Sequence, residues 1–314
     1  VALDEKRYDC FLNALNAALT FQKVAKMDLS IGGFLSILLI MLIFIVPILW
    51  ITSAQFRFRV KIALYGACFI ASATIGALIS LPYGRTPKNH FRMFRIFEYS
   101  TFWMGTKFEL RNMHYTESDK PYILIANHQS ALDVLSMSYV WPENCVVLLK
   151  SSLRFVPGFN ICTFLSNSIY INRFNKAEAH KSLIKVADAI IKENRKVWIF
   201  PEGTRSSNGT MLPFKKGAFV IARQAKIPIV PLVISSYKNF YDMSEFKFDY
   251  GGRVIIEALP AVDTSEFENI DELIAKCRKI MEEAYKRIND EIILSISSNQ
   301  STKTLNDDVN IDNK

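Results

Sequence analysis

The stretch YILIANHQSALDV, residues 122–134, joins an apolar run to a polar step and then to a helix start. Its first five residues favour a buried strand, because a short continuous apolar run suits a strand covered on both faces. Similar runs recur along the chain: CVVLL (145–149), SIYI (168–171), VWIF (197–200), IVPLVI (229–234) and RVIIEAL (253–259). Helix-like stretches lie between them, at 133–141, 176–193 and 215–225. Strands that alternate with helices predict an α/β fold with helices on both faces of the sheet.

Two apolar runs precede this region, at residues 31–51 and 62–82, and each is 21 residues long without a charged side chain. Either run is long enough for a membrane helix, which needs about 20 residues. The short stretch TSAQFRFRVK (52–61) between them predicts an antiparallel helical hairpin, which either spans the bilayer twice or stays in one leaflet. Residues 1–28 mix charged with apolar side chains, which favours an amphipathic segment at a membrane interface.

These patterns also predict the domain boundaries. The membrane hairpin covers residues 29–83, and the α/β domain covers 84–262 and opens with a helix over 86–111. A C-terminal helix covers 263–295, where apolar residues recur at helical spacing. Residues 296–314 are rich in Ser, Asn and Asp and are predicted to be disordered, because they have little apolar surface to bury.

The composition limits the class of partner. The 314 residues carry a net charge of +8 and are 50% hydrophobic. This charge favours an anionic partner, such as a membrane surface, a nucleotide or a phosphate-bearing substrate. Nucleic acid is disfavoured beside two lipid-soluble runs. The five cysteines lack the spacing of metal ligands, so they are predicted to be free and structural, and no metal site is predicted.

His128 and Asp133, five positions apart in the opening stretch, form the first candidate site. A lone histidine near a helix start is more often structural than catalytic, and on one continuous helix the pair would face about 140° apart. Ser130 changes this geometry, because the pattern S-x-x-D marks it as an N-cap and turns Asp133 back toward the helix start. A carboxylate on one imidazole nitrogen leaves the other nitrogen able to act as a general base.

The absence of one motif limits which group could give its proton to such a base. The chain has no G-x-S-x-G elbow, which disfavours a serine hydrolase of the α/β-hydrolase type. Ser130 fits better as the helix cap than as a nucleophile. We therefore expect His128 to deprotonate a hydroxyl of the substrate itself.

The second candidate site is FPEGTR, residues 200–205, which follows the VWIF run. Gly203 permits a tight turn and Arg205 offers a planar fork suited to phosphate, although a solvated turn with an exposed arginine would have the same sequence. Four further basic residues stand at element ends: Lys150, Arg173, Lys215 and Lys216. The two lysines near 215 precede a predicted helix start, which is a setting that favours anions. Together these residues could converge on one phosphate.

Both motifs have counterparts in a known family. NHQSALD (127–133) resembles the N-H-x-x-x-x-D motif of the glycerolipid acyltransferases, and FPEGTR resembles their second signature. SIYINR (168–173), IPIVPLV (227–233) and NGTMLPFKKGAF (208–219) are similar to blocks of the 1-acylglycerol-3-phosphate acyltransferases, the last to their animal branch. The similarity runs from about residue 84 to 242. One departure is Asn167-Ser168, where the family often has glycine, and it bears on the shape of the acyl pocket.

The resemblance implies a mixed sheet flanked by helices and a defined reaction. A fatty acyl group would pass from acyl-CoA to the sn-2 hydroxyl of lysophosphatidate (1-acylglycerol-3-phosphate), giving phosphatidate. His128 would be the general base and Asp133 its orienting partner. The implied phosphate site contains Glu202, Gly203, Thr204, Arg205, Arg173, Lys150 and Lys215, while Asn127 and Pro231 would shape the pocket. No bound cofactor is implied, because acyl-CoA is a co-substrate, and an endoplasmic reticulum membrane location follows from the resemblance.

Two alternatives stay open at this point. The acceptor could be glycerol-3-phosphate or a lysophospholipid with a headgroup. The protein could also be a non-enzymatic membrane lipid-binding protein that kept the fold. The presence of His128, Asp133 and Arg205 argues against the second alternative, since binding alone needs no base.

Overall fold

A computed structural model describes residues 31–171, 176–206 and 208–311. The chain divides into two compact units, Val1–Arg57 and Phe58–Lys314. The second unit therefore begins well before residue 84, where the sequence predicts the α/β domain to start, because part of an apolar helix belongs to it.

The second unit is built on a sheet with helices on both faces. The strands of the chain are β1 (Lys107–Arg111), β2 (Ile123–Ala126), β3 (Cys145–Lys150), β4 (Ile169–Ile171), β5 (Lys196–Ile199), β6 (Ile229–Ile234), β7 (Tyr241–Asp242), β8 (Lys247–Phe248) and β9 (Arg253–Ala258). Seven of them form one sheet in the order β1-β9-β6-β2-β5-β3-β4, and β7 pairs with β8 separately. Neighbours in the large sheet are parallel except β6 and β9. The predicted mixed sheet is confirmed.

Eight α-helices are assigned within the described residues. They are α1 (Ile31–Thr52), α2 (Ala54–Ser80), α3 (Asn89–Ser100), α4 (Asp133–Tyr139), α5 (Phe159–Leu165), α6 (Lys176–Lys192), α7 (Gly217–Ala225) and α8 (Ile270–Ile311). Alternate residues of β2 enter different cores, Leu124 and Ala126 on one face of the sheet and Ile123 and Ile125 on the other. This alternation is why YILIA is continuously apolar.

All six strands predicted from the apolar runs are present, as β2 to β6 and β9. The helix predicted over 86–111 is wrong beyond Ser100. The helix ends at Ser100 and a 3₁₀ turn follows over Phe102–Met104. Gly105 ends that turn with a left-handed φ of 62°, and the ring of Tyr250 lies where a Cβ on Gly105 would stand. The chain then enters β1, whose pairing with β9 no local pattern indicates.

The stretch predicted to link the apolar runs is mostly helix. Ser53 is the one residue between α1 and α2, and its hydroxyl accepts the N–H of Phe56 at 3.1 Å, which caps α2. The basic residues after it do not break a helix, because Lys and Arg have good helix propensity. Within the described residues, Ala54–Tyr83 is the one segment long and apolar enough to cross a membrane.

Helix α2 is apolar on two different faces. One face is buried in the domain through Phe58, Tyr65, Ser72, Ala73, Gly76, Ala77 and Ser80. The other face exposes Val60, Leu64, Ile70, Ile75, Leu78 and Ile79. A helix that shows apolar side chains both to the protein and away from it suits a lipid environment on its outer side.

Helix α8 covers the opposite face of the sheet. Its buried residues recur every three or four positions: Leu273, Cys277, Met281, Ala284, Ile288 and Ile292. The helix is assigned as far as Ile311, whereas the sequence predicts a disordered tail from 296. The polar composition of these residues favoured disorder. However, the stretch contains no Pro or Gly, so no residue in it stops the helix. The four cysteines in the described residues are free, as predicted, and burial raises the pKa of Cys162 to about 11.

Candidate active site

The two sequence motifs meet at the carboxyl ends of neighbouring strands. β2 ends at Ala126, just before the first motif, and β5 ends at Ile199, just before the second. These strands are parallel partners, so the loops that follow them leave the same edge of the sheet. The two loops are joined directly, because the N–H of Ser206 donates to the carbonyl of His128 at 2.8 Å.

His128 is held from two sides. Its Nδ1 lies 2.6 Å from Oδ2 of Asp133, and its ring stacks on Phe200 with centroids 4.0 Å apart. The histidine side chain is 20% exposed. Because an ionised carboxylate can only accept, Nδ1 carries the proton and Nε2 of the neutral ring is left as an acceptor.

Asp133 is buried, with 1% of its side chain exposed, and one of its oxygens collects three donors. Oδ2 accepts the backbone N–H groups of Gln129 at 2.7 Å and Ser130 at 3.1 Å, in addition to His128. The Ser130 hydroxyl in turn accepts the N–H of Leu132 at 3.0 Å. Helix α4 has Leu132 at its N-cap position, so the prediction that Ser130 is the N-cap is wrong. The turn at Ser130 still directs Asp133 back toward His128, because Oδ2 of Asp133 accepts the N–H of Ser130.

Glu202 is a brace between the two loops. It is buried, and its two oxygens accept the N–H of His128 and the N–H of Leu212, each at 2.7 Å. Burial raises the pKa of Glu202, and the two backbone donors act in the opposite direction. A carboxylate repels phosphate and has no proton to donate when ionised, so this geometry gives Glu202 a positioning role within the predicted phosphate site.

Gly203 and Lys215 lie against each other in the second motif. Gly203 has a φ of +70°, and a Cβ placed there would stand 2.8 Å from Nζ of Lys215. The backbone N–H of Lys215 donates to the carbonyl of Pro201 at 2.8 Å. Lys215, Thr204 and Arg205 are all exposed. The turn therefore presents two cations to solvent beside the His128 loop.

Of the other predicted basic residues, one is at the same sheet edge and one is outside the described residues. Lys150 is exposed at the carboxyl end of β3, which is the neighbour of β5. Arg173 falls in the stretch 172–175, beyond the part of the chain that the structure describes.

The two predicted pocket residues differ in position. Asn127 is buried at the end of β2, where its Nδ2 donates to the carbonyl of Ile234 at 2.9 Å and its Oδ1 accepts the N–H of Ile234 at 2.8 Å. It therefore fastens β2 to the end of β6. Pro231 lies inside β6 opposite Ile125, in the body of the sheet rather than at the edge where the motifs meet.

Sequence reasoning missed two residues that hold the site. Phe200 belongs to the motif FPEGTR, but no local pattern in that motif indicates that its ring stacks on His128. Tyr65 lies in α2, and its hydroxyl donates to the carbonyl of Ala131 at 2.9 Å. The sequence feature that could have indicated Tyr65 is that it is the one tyrosine in the apolar run 62–82. A buried tyrosine usually has a partner for its hydroxyl.

Comparison with known proteins agrees with this geometry. The Acyltransferase family model matches residues 107–235, which contain both motifs and the strands that present them. The chain shares its fold with the 1-acyl-sn-glycerophosphate (LPA) acyltransferase PlsC from Thermotoga maritima, with a TM-score of 0.58 at 21% identity. That likeness covers 75% of this chain and 94% of the other. The class defined by fold and site is that of an acyltransferase.

Curated relatives narrow the class. The protein acl-1 of Caenorhabditis elegans, a 1-acyl-sn-glycerol-3-phosphate acyltransferase by name, is 52% identical over 234 residues, 74% of this chain and 89% of its own length. The human 1-acyl-sn-glycerol-3-phosphate acyltransferase beta is 36% identical over 241 residues, 76% of this chain and 86% of its own length. The chain belongs to the family of 1-acyl-sn-glycerol-3-phosphate acyltransferases, as its motifs predict, and is an enzyme.

Proposed function

We propose that the protein transfers a fatty acyl group from acyl-CoA to the sn-2 hydroxyl of lysophosphatidate, giving phosphatidate. The names of the curated relatives support the acceptor. The observation that carries the chemistry is the 2.6 Å contact between Nδ1 of His128 and Oδ2 of Asp133. It gives a partly exposed imidazole the tautomer and the fixed orientation that a general base needs.

His128 acts on the acceptor directly in this mechanism. Its Nε2 takes the proton of the sn-2 hydroxyl as that oxygen attacks the thioester carbonyl. The new C–O ester bond forms, the C–S bond breaks, and coenzyme A leaves as a thiolate that receives the proton from His128. Asp133 stabilises the imidazolium between these two transfers, and its three donors keep it in place. No acyl-enzyme intermediate is required, and no cofactor takes part.

The cations of the second motif bind the acceptor phosphate. Arg205 and Lys215 are exposed on a turn that is hydrogen-bonded to the His128 loop through Ser206 and Glu202. Arginine can bind a phosphate through two parallel hydrogen bonds, and lysine adds a compact charge. Lys150 and Arg173 complete the proposed set. Because the turn and the base are joined, phosphate bound there holds the glycerol hydroxyls near His128.

The membrane is the place where both lipid substrates reside. The outer apolar face of α2 supports a membrane-embedded segment, and the two-helix hairpin over 29–83 stays part of this proposal. The lipid bilayer is therefore a partner in addition to lysophosphatidate and acyl-CoA. We place the enzyme in the endoplasmic reticulum membrane, on the family resemblance alone.

The test is an acyl-CoA assay that scores thiol release and lipid product with a panel of acceptors. We expect lysophosphatidate to be used best, ahead of glycerol-3-phosphate, headgroup-bearing lysophospholipids and monoacylglycerol. His128→Ala should lower kcat by about 10²- to 10⁴-fold, the usual contribution of general-base catalysis. His114→Ala is the matched control, since His114 is exposed in a turn outside the site.

Two results would contradict the proposal, and a third would show that the variants act through folding. Preference for a headgroup-bearing lysophospholipid would replace the acceptor while keeping the reaction class. Equal activity of His128→Ala and wild type would show that His128 is not the general base. Loss of activity in His114→Ala as well would mean that both changes act through folding.

A further inference from the structure

We propose that Tyr65, on the apolar helix α2, is a positioning residue for the His128–Asp133 pair, so that turnover depends on how this helix is seated. The inference rests on the proposed function and deepens it. Helix α2 is a candidate membrane segment, and the loop that carries the pair lies apart from it in sequence. Tyr65 joins these two parts of the molecule.

The contact itself is direct and buried. Tyr65 is 4% exposed, and its hydroxyl donates to the carbonyl of Ala131 at 2.9 Å. Its ring meets Phe97 of α3 edge to face, with centroids 5.4 Å apart. The packed ring fixes where the hydroxyl points, because a tyrosine held at its ring has little remaining freedom.

Ala131 lies in the turn between the two members of the pair. Its carbonyl also accepts the N–H of Val134, but at 3.4 Å, which is long for a hydrogen bond. The helix that follows, α4, has seven residues and gives the turn little independent rigidity. The Tyr65 hydroxyl is therefore the short hydrogen bond that holds this carbonyl, two residues before Asp133.

Helix α2 is itself anchored on both sides of Tyr65. Toward its start, Phe58 stacks on Tyr241 with centroids 5.8 Å apart. Toward its end, Gly76 lies so close to α3 that a Cβ there would stand 2.9 Å from Cα of Met93. The packing of α2 at both ends thus fixes the position of the Tyr65 hydroxyl. Through its hydrogen bond, this hydroxyl fixes the position of the turn at Ala131.

The expected consequence is a loss of turnover without a loss of binding. A displacement of the turn moves Asp133 relative to His128, and a misplacement of about 1 Å can cost about 10²-fold in rate. The exposed cations of the second motif are on a different loop, which has internal hydrogen bonds from Leu212 to Glu202 and from Lys215 to Pro201. Because a smaller folded fraction would also lower the apparent kcat without changing KM, kcat is compared at equal folded fraction and beside a matched buried tyrosine.

The decisive pair of variants is Tyr65→Phe and Tyr122→Phe in the full chain. Tyr122 is a matched control, since it is 1% exposed and its hydroxyl donates to the carbonyl of Thr116 at 2.7 Å. It stands at the opposite end of β2 from His128. We expect Tyr65→Phe to lower kcat roughly 10- to 100-fold, with KM for either substrate changed less than about twofold. Tyr122→Phe should keep the wild-type kcat.

A second measurement follows the pair without any substrate. The chain has four histidines, so ¹⁵N-histidine labelling gives few ring signals. The Nδ1–H signal of His128, assigned by its loss in His128→Ala, should weaken or broaden in Tyr65→Phe and persist in Tyr122→Phe. If the two variants show the same kcat and an intact Nδ1–H signal, Tyr65 has no positioning role. A wild type that prefers another acceptor would overturn the proposed function, while the signal would still decide the role of Tyr65.

Discussion

At the scale of single residues, Asp133 owes its orientation to three donors that converge on one oxygen. Two are backbone N–H groups of the residues between it and His128, so the loop folds around the carboxylate. The other oxygen, Oδ1, is buried and has no hydrogen-bond partner among the described residues. Its charge is therefore compensated chiefly through Oδ2, which strengthens the bond to the imidazole in this dry setting.

A comparison of two consecutive lysines tests whether the proposed phosphate site differs from general surface charge. Lys215 lies over Gly203, whereas Nζ of Lys216 lies 2.7 Å from Asp271 of α8. Lys215→Ala should raise KM for lysophosphatidate about tenfold or more, since a hydrogen bond to a charged group contributes about 1.5–3 kcal/mol. KM for monoacylglycerol, which has no phosphate, should not change.

Lys216→Ala is the control for this prediction. It removes the same charge from the next position but leaves the turn at Gly203 intact, so KM for both acceptors should stay near the wild-type value. Steady-state kinetics with the two acceptors decide the matter. Equal increases in KM from both lysine variants would indicate a diffuse surface charge effect instead of a phosphate site.

At the scale of elements, α2 packs on α3 through a glycine contact. Gly76 is the point of closest approach, whereas a Cβ on Gly66 of the same helix would meet nothing within 4 Å. Gly76→Ala should lower the free energy of unfolding by about 1–3 kcal/mol, because the neighbouring atom is backbone and cannot move aside. Gly66→Ala should raise it by about 0.5–1 kcal/mol through better helix propensity.

Denaturant unfolding in detergent micelles measures both glycine variants under the same conditions. The opposite signs make the comparison independent of the detergent chosen. Similar stability of the two variants would mean that α2 does not pack on α3 as described, and it would also weaken the argument for Tyr65.

Local patterns predicted the elements in which consecutive residues are all apolar and buried. YILIA, CVVLL and IVPLVI are apolar throughout because both faces of the sheet are covered. Residues 107–111 lack that pattern, since β1 is an edge strand that is partly exposed, and only its pairing with β9 makes it a strand.

The residues of the candidate site also fall into those that a local pattern predicts and those that only long-range contacts reveal. His128 and Asp133 were predicted from a capping pattern, which is a local rule. The contacts of Glu202 with His128 and of Tyr65 with Ala131 join residues far apart in sequence, and no spacing rule reaches them.

At the scale of the whole molecule, an ion-pair cluster ties the first strand, the last strand and the last helix together. Arg111 of β1 and Arg253 of β9 both bind Glu291 of α8 at 2.7 Å, and Arg253 also binds Glu109 at 2.6 Å. The hydrogen bonds from Arg111 and then Arg253 lower the pKa of Glu291 to about 2. Because the folded pKa is depressed, this stabilisation is present above the ordinary value of 4.5 and is lost as the pH falls toward 2.

Glu291→Gln should lower the free energy of unfolding at pH 7 by about 0.5–1 kcal/mol, a modest value because these side chains are partly solvated. The difference from wild type should shrink as the pH falls from 4.5 toward 2 and also at high salt. Glu282→Gln is the control, since Glu282 pairs with Arg278 within α8 and has no ion pair to another element among the described residues. A loss for Glu291→Gln that did not vary with pH would contradict the ion-pair explanation.

The pairing of β1 with β9 has a consequence for biosynthesis. Lys107 finds its strand partner at Arg253, so this sheet edge cannot form until residues beyond 253 have left the ribosome. Helix α2 is made before all the strands of the sheet on which it packs. We expect the apolar helix to be available for membrane insertion before the sheet is complete, with slow folding set by this long-range pairing.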